Sequence, residues 1–215
     1  KIKKMPMLDA KIAISKDYYT INKKSKWITN SRSRKVAHFL RSNYDSIIST
    51  SKSINEDNSL LNCRINGLNS NKPDLIIIDR NLSIKKNLNF LNLANKRKTY
   101  LITTSKNINK ISFLKKKNIK IIKINKLESK KDFIFLLKKI YQLGKRRILL
   151  ESGLIFLDRL IKLKIVNNLY IFRSNIRLFK NGSNNIKFNI LKKINLNNKI
   201  NVNLKEDILY KSKIK

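Results

Sequence analysis

The sequence holds one Cys, one His, one Trp, two Pro and four Gly in 215 residues, with 13 acidic side chains against 50 Lys and Arg. Each scarcity excludes something. Cys63 alone makes no internal disulfide, and with His38 alone it supplies too few ligands for a zinc finger or a zinc deaminase, so no metal is expected. A single cysteine fits a reducing, cytoplasmic setting. The glycines, Gly67, Gly144, Gly153 and Gly182, are never two apart, so neither the G-x-G-x-x-G dinucleotide turn nor the P-loop occurs. No apolar run reaches membrane-spanning length, and Leu75–Ile78 is strand-sized. Asp9 and Lys11 interrupt any apolar region of a signal peptide. Lys1 stands where an initiating Met would, as expected of a piece of a longer product.

What is present is a chain with a hydrophobic fraction of 41% and a formal net charge of +37. The apolar content suffices for a sizeable core. The charge points first to nucleic acid, but the lysines are scattered, and Lys, Asn and Ile are enriched together as an AT-rich coding sequence would produce. A non-enzymatic nucleic-acid binder is therefore the runner-up. It would interleave aromatic and basic residues on one surface, whereas the seven Tyr and nine Phe fall mostly inside apolar runs.

Short apolar runs alternating with amphipathic stretches predict an α/β domain over residues 1–215, with no composition shift to mark a boundary. Strands are expected at Leu8–Ser15, Asp45–Ser49, Asp74–Asp79, Thr99–Thr103, Ile119–Ile124, Arg147–Glu151 and Asn168–Arg173, with further strands in 185–211. Helices are expected at Ser31–Asn43, Lys131–Leu143 and Leu154–Lys162.

Three stretches carry chemistry. S-K-W-I-T-N-S-R-S-R-K-V-A-H-F-L-R (25–41) gathers the lone Trp and His with Arg32, Arg34 and Arg41. Asn30 or Ser31 can cap a helix there, with Val36, Ala37, Phe39 and Leu40 on its buried face and Arg34, His38 and Arg41 on another. Trp27 is either a core anchor or a ligand contact. S-I-N-E-D-N-S-L-L-N-C-R (53–64) reads as a charged turn or as a ligand loop pairing a carboxylate with a phosphate-binding Arg. R-R-I-L-L-E-S-G-L-I-F-L-D-R-L-I-K (146–162) runs a strand into Glu151, and Gly153 opens a helix whose N-terminus suits a phosphate.

Taken in order, K-I-A-I-S-K-D (11–17), S-K-W-I-T (25–29), R-K-V-A-H-F-L-R (34–41), D-N-S-L-L-N-C-R (57–64), P-D-L-I-I-I-D (73–79), L-L-E-S-G (149–153) and N-L-Y-I-F (168–172) carry a resemblance. From about residue 6 to residue 182 the chain resembles the reductase domain of the bifunctional riboflavin-biosynthesis deaminase/reductase. The resemblance implies a dihydrofolate-reductase-like three-layer α/β domain with a mixed central sheet flanked by helices. It implies NADPH as cofactor, a phosphoribosyl-pyrimidine substrate, a homodimer, and a deaminase domain that is fused ahead of Lys1 or separate. Membrane and nucleic acid are not expected partners.

Carried over residue by residue, the resemblance places Ser25, Arg41, Leu61, Arg64 and Glu151 at the substrate. It places Ile14, Trp27, Ser53, Asp57 and the turn and helix Gly153, Leu154, Ile155, Phe156 and Leu157, on to Arg159, at the cofactor. Glu151 and Asp57 are the candidate catalytic groups, and Trp27, Asp57, Glu151 and Gly153 are expected to converge on one cleft. The implied reaction is hydride delivery to ribosyl C1′ of 5-amino-6-(5-phosphoribosylamino)uracil. An alternative is a diverged relative acting on another pterin or pyrimidine. The chain departs from the family at four places: Ser15-Lys16-Asp17-Tyr18 for S-L-D-G, Asp57-Asn58-Ser59 for D-N-P, Glu151-Ser152-Gly153 for E-G-G, and Ser174-Asn175-Ile176-Arg177-Leu178 for the late P-K-L-hydrophobic-G.

Overall fold

The computed structural model describes residues 4–68, 73–186 and 190–215. In chain order the elements are β1 (Met7–Ile14), β2 (Ile21–Asn22), α1 (Ser31–Ser42), β3 (Ser46–Thr50), α2 (Ser51–Asp57), β4 (Asp74–Ile78), β5 (Thr99–Thr103) and α3 (Ile108–Lys116). There follow β6 (Ile119–Lys123), α4 (Lys130–Gln142), β7 (Arg147–Leu150), α5 (Leu154–Lys162), β8 (Asn168–Arg173), β9 (Gly182–Ser183), β10 (Lys199–Ile200) and β11 (Ile208–Lys213). The chain divides into two compact units, Lys1–Met7 with Arg41–Leu149, and Leu8–Leu40 with Leu150–Lys215.

In the first unit the strands run β7-β3-β4-β5-β6. The β3–β4, β4–β5 and β5–β6 pairs are parallel, with Ser46 opposite Asp74 and Thr99 opposite Ile119. A parallel strand covered on both faces needs an unbroken apolar run rather than alternation. D-L-I-I-I in β4 and T-Y-L-I-T in β5 are buried throughout, while β6, last in the order, turns Lys120 and Lys123 to solvent as an edge strand does. Helix α3 packs on β6 and α2 on β3. Helix α4 starts one residue earlier than expected because Ser129 and Asp132 form a reciprocal capping box.

In the second unit the order is β10-β11-β8-β1. Strands β1 and β8 are parallel, and β8–β11 and β11–β10 antiparallel, so this sheet is mixed. Ala37, with Val36 and Leu40, sets α1 against Phe172, Leu204 and Leu209. Asn30 is the cap of α1: its side chain accepts from Ser33 N at 3.0 Å and donates to Leu204 O at 2.7 Å. Asp207 reinforces it, accepting from Asn30 N at 2.9 Å and from the Ser33 hydroxyl at 2.6 Å. A short ribbon pairs β2 with β9, and there Gly182 lies against the Tyr19 ring so closely that a Cβ would sit 2.1 Å from it.

Some expectations need correction. Phe39 is 54% exposed rather than buried, since at about 100° per residue it lies about 200° round α1 from Ala37. The stretch over 53–64, expected as a charged turn or a ligand loop, begins as α2, which Thr50 caps by accepting from Ser53 N at 3.3 Å. Helix α3 was not expected; Ile108, 79% exposed, blurs its apolar period. Of the further strands expected in 185–211, two form, β10 and β11, and Ile190–Lys193 makes a 3₁₀ turn instead. Residues 187–189 lie outside the described residues. No helix among the described residues is long and apolar enough to cross a membrane.

Candidate active site

The first unit carries Arg41, Ser53, Asp57, Leu61 and Arg64. Ser53 lies in the first turn of α2, its hydroxyl 3.1 Å from that of Thr50, and Asp57 is exposed at the helix's last position. Asn58 ends the helix in the left-handed conformation (φ 47°), and its side chain accepts from Asn89 N at 2.8 Å. That conformation accounts for an Asn after Asp57, because Asn tolerates it better than most residues. Leu61 is buried yet also left-handed (φ 48°). Arg64 is exposed, and Arg41 donates through Nη1 to Asn62 O at 3.1 Å. The structure therefore brings Arg41 to the Leu61–Arg64 turn, which residue order alone does not require.

Two groups in this unit were missed. Arg97, buried, donates to the carbonyls of Leu60 and Leu61. Asp79, buried just past β4, accepts from Ser51, Ser83 and Ile84 and so ties the start of α2 to the next turn. Only the P-D-L-I-I-I-D motif hinted at Asp79; for Arg97 the sequence carries no signal. A polar hollow of about 220 Å³ lined by Arg80, Thr104, Asn125, Lys126 and Glu128 follows the ends of β4, β5 and β6 and includes none of the expected site residues.

The second unit carries Ile14, Ser25, Trp27, Glu151 and the Gly153–Leu157 segment. Trp27 is 51% exposed, so it is not a core anchor; its ring lies 4.7 Å from the Arg34 guanidinium and 5.5 Å from Lys26 Nζ. Ser25, also exposed, accepts from Trp27 N at 3.2 Å. Glu151 is buried with Lys11 Nζ 3.6 Å away, and Lys11 also lies over the Phe172 ring. Lys11 opens the K-I-A-I-S-K-D motif but was not assigned a role; it supplies the cation that a buried carboxylate needs. Gly153 caps α5 in extended conformation and puts no side chain over its first N–H groups. Leu154 and Leu157 are core residues, so only their backbone could meet a ligand, whereas Ile155 is 50% exposed. Buried Ile14 ends β1, where its carbonyl accepts from Ser174 N at 2.8 Å.

The turn after β1 survives the loss of its family glycine. Tyr18 adopts φ 65°, held by Tyr18 N to Ser15 O at 3.0 Å and Tyr19 N to the Ser15 hydroxyl at 2.9 Å. Asp17 fastens this turn to the degraded late motif, accepting from Ser15 Oγ at 2.6 Å, Phe179 N at 2.8 Å and Leu178 N at 3.1 Å. Burial pushes the Asp17 carboxyl up, but these donors together outweigh it and hold the group below its ordinary 3.8. The folded state thus binds this proton more weakly than the unfolded one. Its stabilisation is complete above the ordinary value and is lost as pH falls through the lower, folded one. Melting temperature should fall more steeply below pH 3.8 in the parent than in Asp17→Asn; parallel profiles would remove Asp17 from the acid response.

Among the described residues no group of three His, Cys, Asp or Glu side chains could hold a metal. The profile of the family described as "RibD C-terminal domain" matches residues 6–176. The chain belongs to that family. The riboflavin biosynthesis protein RibD of Buchnera aphidicola subsp. Baizongia pistaciae is 30% identical over 189 residues, covering 78% of this chain and 48% of the relative. The chain thus spans about half the length of the curated relatives it matches. In fold it is similar to the riboflavin biosynthesis reductase Rib7 of Saccharomyces cerevisiae, with TM-score 0.75 and 20% identity, covering 99% of this chain and 91% of that one. It is also similar to a Thermotoga maritima diaminohydroxyphosphoribosylaminopyrimidine deaminase/5-amino-6-(5-phosphoribosylamino)uracil reductase, with TM-score 0.69 and 18% identity, covering 98% and 57%. The expected α/β fold is thus the one found.

Proposed function

We propose that the chain is a cytoplasmic reductase domain that converts 5-amino-6-(5-phosphoribosylamino)uracil to 5-amino-6-(5-phosphoribitylamino)uracil with NADPH. A deaminase, fused or separate, would supply its substrate, and the domain would act as a homodimer. The observation that carries the reading is the family match over residues 6–176, inside which every residue of the expected substrate and cofactor sets falls.

The residues present fit a nicotinamide cofactor. The α5 N-terminus offers backbone N–H groups under a side-chain-free cap, which suits a phosphate. Trp27 and Ile155 offer exposed apolar surface of the kind a flat heterocycle covers. When bound, the cofactor would supply the hydride for ribosyl C1′ of the ring-opened imine, whose nitrogen would take its proton from water or from the substrate itself. Arg41 and Arg64 hold the substrate phosphate, where a planar guanidinium can meet two oxygens at once. Glu151, held by Lys11, orients the polar groups of the opened ribosyl chain. Asp57 and Ser53, at the two ends of α2, contact the cofactor.

The test is NADPH oxidation by the purified chain, followed by absorbance, with the deaminated pyrimidine and with dihydrofolate. Oxidation dependent on the phosphoribosylaminouracil, and slower with NADH, is expected. Turnover of dihydrofolate instead would assign the chain to another pterin, and no turnover of either would remove the reductase reading.

A further inference from the structure

Arg97 sits in N-K-R-K, a basic run that reads as solvated surface. The residue is instead buried, 7% exposed. Nε donates to Pro73 O at 2.5 Å, Nη1 to Leu60 O at 2.6 Å and Nη2 to Leu61 O at 2.7 Å. Three donors spread along a rigid planar edge can serve three fixed carbonyls at once, which the single nitrogen of a Lys does poorly. The next carbonyl, Asn62 O, accepts from Arg41 at 3.1 Å. Carbonyls 60, 61 and 62 are thus each held by an arginine, two by Arg97 and one by Arg41. Within that run Leu61 keeps a left-handed backbone (φ 48°), which strains a residue with a Cβ and persists only where the surroundings impose it.

We infer that Arg97 is the positioning residue of the phosphate contacts. It imposes the left-handed turn at Leu61 and so sets where Arg64 and Asn62 O lie. Through Asn62 O it sets where Arg41 lies, and both guanidinium groups are in place before the substrate arrives. This rests on the reductase reading of the site. It goes beyond that reading by assigning the affinity for the phosphate to a residue that donates to the carbonyls of the loop rather than to the substrate.

The experiment compares the parent chain with Arg97→Met and Arg97→Lys in steady-state kinetics on the phosphorylated substrate and on its dephosphorylated counterpart. Amide hydrogen exchange across residues 61–64 is followed alongside, without ligand. Arg97→Met should raise KM for the phosphorylated substrate about 10- to 100-fold, with kcat and KM for NADPH held within about twofold. Arg97→Lys should fall between Met and the parent. The dephosphorylated substrate should show no comparable rise, and exchange at 61–64 should quicken in both variants as the turn loses its anchor. A general loss of structure would raise both KM values together or penalise both substrates alike, and either result overturns the inference. If Arg97→Met does not fold, Arg97→Lys decides by the same criteria. If the parent oxidises no NADPH, the reductase reading falls and takes the phosphate role with it. Unchanged exchange at 61–64 overturns the anchoring itself, whatever the activity.

Discussion

Arg41→Lys is expected to lose about 10- to 100-fold in kcat/KM although the charge is conserved. The chain uses Lys freely and Arg sparingly, with 11 Arg among its 50 basic residues. A guanidinium kept in such a background points to a planar, two-pronged contact. In the structure Arg41 already uses Nη1 on Asn62 O at 3.1 Å, so on the proposed reading the same group would hold a carbonyl and meet an anion. An ammonium gathers its donors on one nitrogen and cannot spread them across a carbonyl and two phosphate oxygens in a fixed plane. On the proposed reading Arg64, exposed three residues after Leu61, meets the same phosphate, and Arg64→Ala should cost a similar factor. The double variant Arg41→Ala, Arg64→Ala should show little further loss on a phosphate-free substrate, because the contact it lacks is then absent from both partners. Equal handling of phosphorylated and dephosphorylated substrates by the parent chain would reassign both arginines to packing and surface charge.

Asp79→Ala is expected to destabilise the fold by about 1–3 kcal/mol, lowering the melting temperature on the order of 5 °C. Asp79 is buried and accepts from Ser83 N at 2.7 Å, Ile84 N at 2.8 Å, the Ser83 hydroxyl at 2.9 Å and the Ser51 hydroxyl at 3.0 Å. Charge-assisted bonds of this kind are among the stronger ones, and removing the acceptor leaves the buried Ile84 N–H without its partner. Ser51 is the first residue of α2, so turnover should fall with stability as Ser53 and Asp57 lose their footing. Asp79→Asn, which keeps one acceptor oxygen but no charge, should lie between. A melting temperature within about 2 °C of the parent for Asp79→Ala would show that the turn is held by packing instead.

The central β strands were legible because each is a short apolar run with polar punctuation, and β5 and β8 have the limits expected of them, whereas the two-residue β2 and β9 were not expected. Helix α5 was legible for a related reason: Leu154, Leu157 and Leu160 repeat at helical spacing after a glycine. Helix α2 was not. It is seven residues long, too short to show a period, and its cap is the last residue of β3. Trp27 was left between two roles because a lone aromatic before a helix fits both, and only its exposure separates them.

Residue order by itself therefore determined the longer strands, three of the helices, the α/β class and the family motifs, since parallel strands and amphipathic helices write their burial into local periodicity. Only the tertiary structure decided which polar and charged side chains go inside. Arg97 reads as surface until it is found on the carbonyls of Leu60 and Leu61, more than thirty residues earlier in the chain. Lys11 reads as an ordinary strand lysine until Glu151 is found 3.6 Å from it. A hydrogen bond or an ion pair joins groups by their positions in space, and the sequence around one partner carries no record of where the other will be.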